Sequence, residues 1–426
     1  MTPQYSKSLK ILHTADWHIG KRLEKFSRID EQQQVFNHLC ELANAQEVDI
    51  ILVSGDLFDS YKPDIVSIKL WLNTLVKLTN GGKRVVVVVS GNHDAPEFID
   101  VFSDLVLDRG IIVVSKFSHT LPAGKLTDYV MVTKSSSNFI ELEILGIDFP
   151  VRIITTPYAT EKSLSNLLLD NTHTGNLAEY VSEYWAKAEL SCNADGVNIL
   201  MAHLLFIDTL VDVNNIPKNE PGENSIIYHG GSAIFYPHHI PNCIQYVALG
   251  HLHKHHTLTS SNENTVISYS GSPLVYSLSE SGQSKYAIEV NLLPNERPQL
   301  NPIELKGGFN IVRETVEGVF GAIEFAKDNQ DNYIELLVNC SGALSEAEIE
   351  SIYKVHNKIT RVIPQISRLD TQPSSLDEHY QLEEVNIEQL LKNFLQSKQN
   401  INSEELEQLY LELYHSTMQE SEVSNS

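Results

Sequence analysis

The sequence predicts an α/β fold, and three observations carry that expectation. Apolar strand-like runs alternate with helix-like stretches from residue 9 to about 290, the pattern of sheets covered by helices. Residues 311–365 repeat the alternation on a smaller scale, which predicts a separate α+β module. Beyond residue 384, two stretches carry apolar side chains at helical spacing.

In chain order, 9–13 reads as a strand and 31–42 as a helix with Val35, Leu39 and Leu42 on one face. Residues 49–53 read as a buried strand. Pro63 is expected to open a helix running through Ile65, Leu72, Leu75 and Val76, closed by Gly81 and Gly82. The valine run 84–89 is a central strand, and 111–114, 139–145 and 151–154 are shorter ones. A helix at 179–190 leads to a strand at 197–201. Residues 208–242, rich in Asn, Pro and Gly, read as one long excursion, and strands at 244–249, 265–270 and 285–290 complete the set. The expected organisation is a large domain at 1–305, a small α+β domain at 306–370, a polar linker at 371–383 and amphipathic helices at 384–426. In the first of these helices Ile387, Leu390, Leu391 and Phe394 share a face. In the second, Ser403 caps a turn leading to Leu406, Leu409, Tyr410 and Leu413.

The longest apolar run, Val85 to Val89, is far short of the roughly 20 residues a membrane span needs. The first residues have no apolar core of signal-peptide length. Cys40, Cys192, Cys243 and Cys340 lie far apart without C-x-x-C spacing. A disulfide framework or thiolate zinc site is therefore not expected, and a reduced, cytoplasmic setting is. The formal net charge of −24 argues against tight unaided binding to nucleic acid. Two features weaken that objection. The tail 371–426 holds eleven carboxylates against two lysines. Carboxylates that bind divalent cations also present a positive site to a phosphate.

Five polar clusters fall where strands are expected to end: Asp16 and His18; Asp56 and Asp59; Asn92, His93 and Asp94; His203; and His251 and His253. In α/β folds, sites form at the carboxyl ends of strands, where several loops converge. Carboxylates, imidazoles and one amide, with no thiolate, suit two divalent ions such as manganese, iron or zinc. Two such ions would activate a water and clamp the oxygens of a phosphoryl group. Gly55, Gly91 and Gly250 precede three of the clusters and would allow sharp turns. His13, His255 and His256 are read as structural or surface residues.

The order D-x-H, G-D-x-x-D, G-N-H-D, H, G-H-x-H resembles the calcineurin-like metallophosphoesterase superfamily. The stretches ILHTADWHIGK, SGDLFD, VVVVVSGNHD, YVALGHLHKHH and YSGSPLVYSLSESGQSKY resemble its branch of bacterial SbcD nuclease subunits. That resemblance implies a four-layer α/β/β/α metallophosphoesterase sandwich with a small α+β capping module and C-terminal partner-binding helices. It implies one metal held by Asp16, His18, Asp56 and His253, and another by Asp56, Asn92, His203 and His251, with Asp56 as the bridge. His93 would face the scissile phosphate, and Asp59 would be its partner. The cofactors implied are two divalent metal ions, with manganese expected.

The implied activity is metal-dependent cleavage of DNA at duplex ends and hairpins, by exonuclease and endonuclease action. The implied partners are DNA, a second copy of the chain and the SbcC ATPase subunit. No G-x-x-x-x-G-K-[ST] occurs in these 426 residues, so ATP dependence would come from that ATPase. A phosphoesterase acting on a small molecule or a phosphoprotein fits the five clusters equally well, though it has no use for the extra module and terminal helices. A non-catalytic scaffold on the same fold is a third reading, opposed by the intact His93.

Overall fold

The protein is described from a computed structural model, over residues 5–160, 176–208 and 233–366. Residues 1–365 form one compact unit, and a second begins at Ile366. The expected linker and terminal helices lie outside the described residues, as does most of the excursion at 208–242.

Two mixed sheets dominate the first unit. In spatial order, the first runs Gln299–Glu304, Tyr286–Leu292, Leu9–Thr14, Ile50–Ser54, Val85–Val89, Ile111–Val114. Its last four strands are parallel, Tyr286–Leu292 pairs antiparallel with Leu9–Thr14, and the edge strand Gln299–Glu304 pairs antiparallel with Tyr286–Leu292. The second runs His256–Leu258, Val266–Tyr269, Tyr246–Gly250, Val197–His203, Val151–Thr156, Phe139–Ile144, Val130–Ser136, Gly124–Lys125. Four of these, at 151–156, 197–203, 246–250 and 266–269, are parallel.

The period-2 alternation of the strands decides the layering. Ile50, Leu52, Val87 and Val89 pack inward against Ile153, Ile199, Met201 and Ala248 of the other sheet. Ile51, Val53, Val86 and Val88 face outward onto Val35, Phe36 and Leu39 of helix α1 (Ile29–Ala45), and onto Trp71 and Leu75 of α2 (Ile65–Leu78). The same cluster takes in Ile99 and Val106 of α3 (Pro96–Leu107). On the far side of the second sheet, Leu200, Ala202, Val247 and Leu249 meet Val181 and Trp185 of the helix Leu177–Glu189. An uninterrupted valine run is what a strand covered on both faces requires. Among the described residues no helix is long and apolar enough to cross a membrane, and none of the four cysteines is in a disulfide.

Several boundaries differ from expectation for local reasons. Helix α2 is capped by Asp64, whose carboxylate accepts from the Ser67 N–H at 2.7 Å, so Pro63 precedes the cap rather than opening the helix. The strand expected at 197–201 continues to His203 because its ladder with Tyr246–Gly250 continues to the His203–Gly250 pair. Helix α3 and the strand Val130–Ser136 were not expected. The outward Val101 and Leu105 of α3 blur its amphipathic pattern, and Met131 breaks the strand's alternation.

The module beyond residue 305 has the expected order: Asn310–Glu317, Gly318–Asp328, Asn332–Cys340, Glu346–Val355 and Ile359–Ile366. Its three strands form one sheet, and Ala322, Ala326, Ile334, Leu336, Val338, Ile352 and Ile359 make a core of its own. It is joined to α1 through Glu31, which takes the Tyr333 hydroxyl at 2.8 Å and the Phe309 N–H at 2.7 Å. Arg28 pairs with the same carboxylate at 2.6 and 2.9 Å, and lies 4.9 Å over the Tyr333 ring. Tyr333→Phe keeps the ring over Arg28 but removes a hydroxyl from a buried carboxylate. It is expected to cost about 1.5–3 kcal/mol, the worth of a hydrogen bond to a charged group. Urea unfolding of the variant measures that loss, and unchanged stability would remove this joint from the account.

Candidate metal centre

All five clusters converge where the parallel strands of the two sheets end. The loop after Leu9–Thr14 is zipped to the loop after Ile50–Ser54 by bonds from the Asp16, His18 and Ile19 N–H groups to the Gly55, Asp56 and Leu57 carbonyls, at 2.9–3.0 Å. Asp16 Oδ1 then accepts the His251 N–H at 2.9 Å, which ties the first sheet to the second. Asp16, His18, Asp56 and His203 are buried, and His251 nearly so. Four of the nine described non-glycine residues with positive φ are here: Asp16 (54°), His18 (41°), Asp56 (50°) and His251 (111°). Backbone held in this sparsely populated region concentrates at functional sites.

The three glycines do two different jobs. Gly55 has a φ of 87° and makes the sharp turn expected of it. Gly91 and Gly250 make no such turn and are required by close approach instead. A Cβ on Gly91 would stand 2.1 Å from Asp56 Oδ1, and one on Gly250 would stand 1.8 Å from the Ser54 carbonyl oxygen.

The donor atoms meet as lone pairs. His203 Nδ1 donates to the Ser54 carbonyl at 2.8 Å, which leaves its Nε2 without a proton. That nitrogen faces Asn92 Oδ1 at 2.9 Å and Asp56 Oδ1 at 3.5 Å. Asn92 Oδ1 is also 3.1 Å from His251 Nδ1. The other oxygen of Asp56 lies 3.5 Å from His18 Nε2, which is 3.0 Å from His253 Nε2. The two oxygens of Asp56 thus face two different groups of ring nitrogens. Burial holds the His18 and His203 pKa values below the ordinary range and that of His251 down to about 3, so these rings are neutral and their lone pairs available. Three electron-rich atoms pressed together with no proton between them lack only a cation, and the residues present fit divalent metal.

Potential ligand atoms lie within 4.8 Å of one another in three sets: Asp16, His18 and His253; Asp16, Asp56 and His203; and His18, Asp59 and His93. Asp16, His18, Asp56, His203 and His253 fall in these sets, with Asp16 and His18 each in two, and Asn92 and His251 adjoin them through the Asn92 Oδ1 contacts to His203 and His251. His93 donates its N–H to Asp56 Oδ1 at 2.8 Å, and its ring lies 4.8 Å from that of His18. Asp59 reaches His93 through its backbone carbonyl, 3.5 Å from Nδ1. Its carboxylate pairs with Lys21 at 2.7 Å. His13 hydrogen-bonds the Tyr246 hydroxyl and His255 the Tyr269 carbonyl, away from the cluster, and His256 is exposed on the edge strand His256–Leu258.

Two supporting residues received no role from the sequence. Asp94 is buried and accepts from the N–H groups of Gly91 (2.7 Å), Leu57 (3.0 Å) and Phe58 (3.1 Å), bracing the Asp56 loop against the Asn92 loop. Its place directly after Asn92 and His93 was the one available signal. Gln32 donates to the His18 carbonyl at 2.8 Å and accepts the Gly20 N–H at 3.0 Å, and nothing in the sequence near the motifs marks it.

A centre of this make-up, at the carboxyl ends of two parallel strand sets, defines a metal-dependent phosphoesterase. A family model described as calcineurin-like phosphoesterase matches residues 9–255, and the chain belongs to that family. The chain is 27% identical over 415 residues to the SbcD subunit of the nuclease SbcCD of Bacillus subtilis (strain 168), covering 95% of this chain and 97% of that protein. Among solved structures it is similar to a dimetal phosphatase from Danio rerio at 11% identity, over 70% of this chain and 97% of that one, with a TM-score of 0.39. A Thermus thermophilus protein matches at 11% identity over 69% of this chain and 99% of that one, with a TM-score of 0.36.

Gly91→Ala tests the packing of the centre. Its methyl group would collide with the Asp56 backbone nitrogen as well as the carboxylate, at 2.2 and 2.1 Å. The expected result is a folded chain that has lost most of its divalent metal, measured by elemental analysis after dialysis. Parent metal content in this variant would show that the cluster tolerates displacement of Asp56.

Proposed function

We propose that this chain is the nuclease subunit of an SbcCD-type complex, a two-metal phosphodiesterase that cleaves DNA at duplex ends and hairpins in repair, replication and recombination. The observation that carries the proposal is similarity to a nuclease subunit over 95% of the chain, combined with three overlapping sets of potential ligand atoms drawn from all five motifs, with Asn92 and His251 beside His203. The second module fits the same reading, since it adds a surface beside α1 that a small-substrate phosphatase has no use for.

When bound, two divalent metals, proposed to be manganese, supply water activation and neutralise phosphoryl oxygens. Asp16, His18, Asp56 and His253 would hold one, and Asp56, Asn92, His203 and His251 the other. The chain's own contribution is orientation. Asp94 and the Ser54 carbonyl fix the Asp56 loop and the His203 ring, and the neutral imidazoles keep their lone pairs directed inward. His93 is tethered to Asp56 through its backbone, which leaves its ring beside the cluster, suited to donate a proton to the leaving oxygen or to a charged phosphoryl oxygen. The Asp59 carbonyl facing Nδ1 favours the ring that carries a proton there. Its carboxylate, shared with Lys21, lies nearer to His18.

The proposed partners are the SbcC ATPase, received by residues 384–426, where the sequence predicts amphipathic helices, and a second copy of the chain. The outward faces of α2 and α3 leave Ile65, Val66, Val101 and Leu105 between 59% and 82% exposed. The two helices are adjacent, with Trp71 against Phe102 at 5.4 Å, so these side chains form a surface suited to self-association. The reading is of a homodimer within a heterotetramer, located in the cytoplasm.

A nuclease assay on hairpin DNA with added manganese tests the activity. His93→Ala is expected to keep both metals and lose about 10²–10⁴ in single-turnover rate, the usual worth of a positioned general acid. Loss of metal in that variant would make His93 a ligand, and cleavage at the parent rate would make it a bystander. Introducing Val101→Asp and Leu105→Asp together should convert a dimer into a monomer in sedimentation. A parent that is already monomeric at micromolar concentration would refute the dimer surface.

A further inference from the structure

We propose that Glu280, held by Lys285, is a positioning residue that fixes the His253 ring as its Nδ1–H tautomer and so serves one of the two metal positions but not the other. The proposal rests on the metallophosphoesterase reading above. Glu280 belongs to the stretch YSLSESGQSKY, 27 residues beyond His253, and none of the five clusters includes it.

Glu280 is buried, and each of its oxygens is engaged. Oε1 lies 3.3 Å from His253 Nδ1 and accepts the Ser277 hydroxyl at 3.0 Å. Oε2 accepts Lys285 Nζ at 2.6 Å and the Tyr276 N–H at 3.3 Å. Lys285 is itself buried, and its ammonium also donates to the His253 carbonyl at 2.9 Å. The pair therefore grips His253 at both ring and backbone. A carboxylate can only accept, so the ring nitrogen facing it carries the proton. The other nitrogen, Nε2, is left as a lone pair, and it points at His18, 3.0 Å away, in the group that includes Asp16. Carboxylate–imidazole–metal arrangements of this kind set both the tautomer and the basicity of the ligand.

The two halves of the centre solve the same problem with different groups. The His203 ring is oriented by a main-chain carbonyl, which no side-chain substitution removes. The His253 ring is oriented by a side chain on a separate segment, which can be removed. Substituting Glu280 should therefore weaken one metal position selectively. A plain structural ion pair predicts otherwise, since a loosened loop would degrade stability and the whole centre together.

The test uses the full chain with manganese(II) alone, titrated calorimetrically into the parent, Glu280→Ala and Glu280→Gln. The expected result is that one of two binding events weakens 10–100-fold, the usual worth of such a supporting partner, while the other stays within about twofold. A second readout is the ring-nitrogen signal of ¹⁵N-histidine in the metal-free chain, where one histidine should lose its fixed Nδ1–H signature in both variants, because in Glu280→Gln the Lys285 ammonium keeps the amide oxygen and turns the NH2 donor toward His253 Nδ1. Equal weakening of both events, or an unchanged tautomer signature, would overturn the proposal. A parent that binds no manganese would instead overturn the metallophosphoesterase reading, and that failure appears in the parent rather than in the variants. Should Glu280→Ala fail to fold, the near-isosteric Glu280→Gln still answers both readouts.

Discussion

Everything at the metal centre depends on how closely the two sheets approach at their carboxyl ends. There the Ser54 hydroxyl donates to the Ala248 carbonyl at 3.1 Å, the Ser54 carbonyl receives His203 Nδ1, and Gly55 and Gly250 leave no side chain in between. A Cβ at Gly55 would stand 2.3 Å from His203 Nδ1 and one at Gly250 1.8 Å from the Ser54 carbonyl oxygen, so neither fits without displacing the other sheet. Elsewhere the interface is filled largely by Ile, Leu, Val and Met. The pinch brings Asp16, Asp56 and Asn92 from one sheet within reach of His203, His251 and His253 from the other.

That geometry is costly before any ligand arrives. Four ligand-type residues sit at positive φ, at about 1–3 kcal/mol each for such conformations, and the lone pairs of His203, Asn92 and Asp56 oppose one another. Backbone-directed bonds hold them there. Asp94 gathers three N–H groups, Gln32 spans the His18 loop, and the Asp16 to Ile19 segment extends the parallel ladder past the end of its strand. The acidic balance of the chain has a local counterpart here, because cation binding relieves repulsion that the fold itself imposes.

The cluster residues were legible because polar side chains placed directly after apolar runs have few other reasons to be there. The parallel strands were legible because a run such as Val85–Val89 suits burial on both faces. What escaped depends on contacts through space. Asp94 looked like one more member of the G-N-H-D motif, but its partners are N–H groups 36 and 37 residues earlier as well as Gly91. Glycine at 91 and 250 is explained by what lies opposite, not by its own φ. Asp59 was read through its side chain, which lies within 4.8 Å of the His93 ring, and its carbonyl oxygen, 3.5 Å from Nδ1, is a second contact that the sequence does not show. Helix α3 went unread because Val101 and Leu105 add outward apolar side chains to the core-facing set of Phe98, Ile99, Phe102 and Val106, so periodicity gave no single stripe.

The first strand, Leu9–Thr14, lies between Ile50–Ser54 and Tyr286–Leu292, and His18 meets a partner 235 residues further along the chain. On the ribosome, at about 5–20 residues per second, that separation amounts to tens of seconds. For most of that interval the emerging polypeptide holds the carboxylates of the first sheet without the full set of imidazoles of the second, His251 and His253 coming last. A half-made chain therefore cannot bring the two groups of ligand atoms together. The order in which the strands are translated thus sets when the centre can first close.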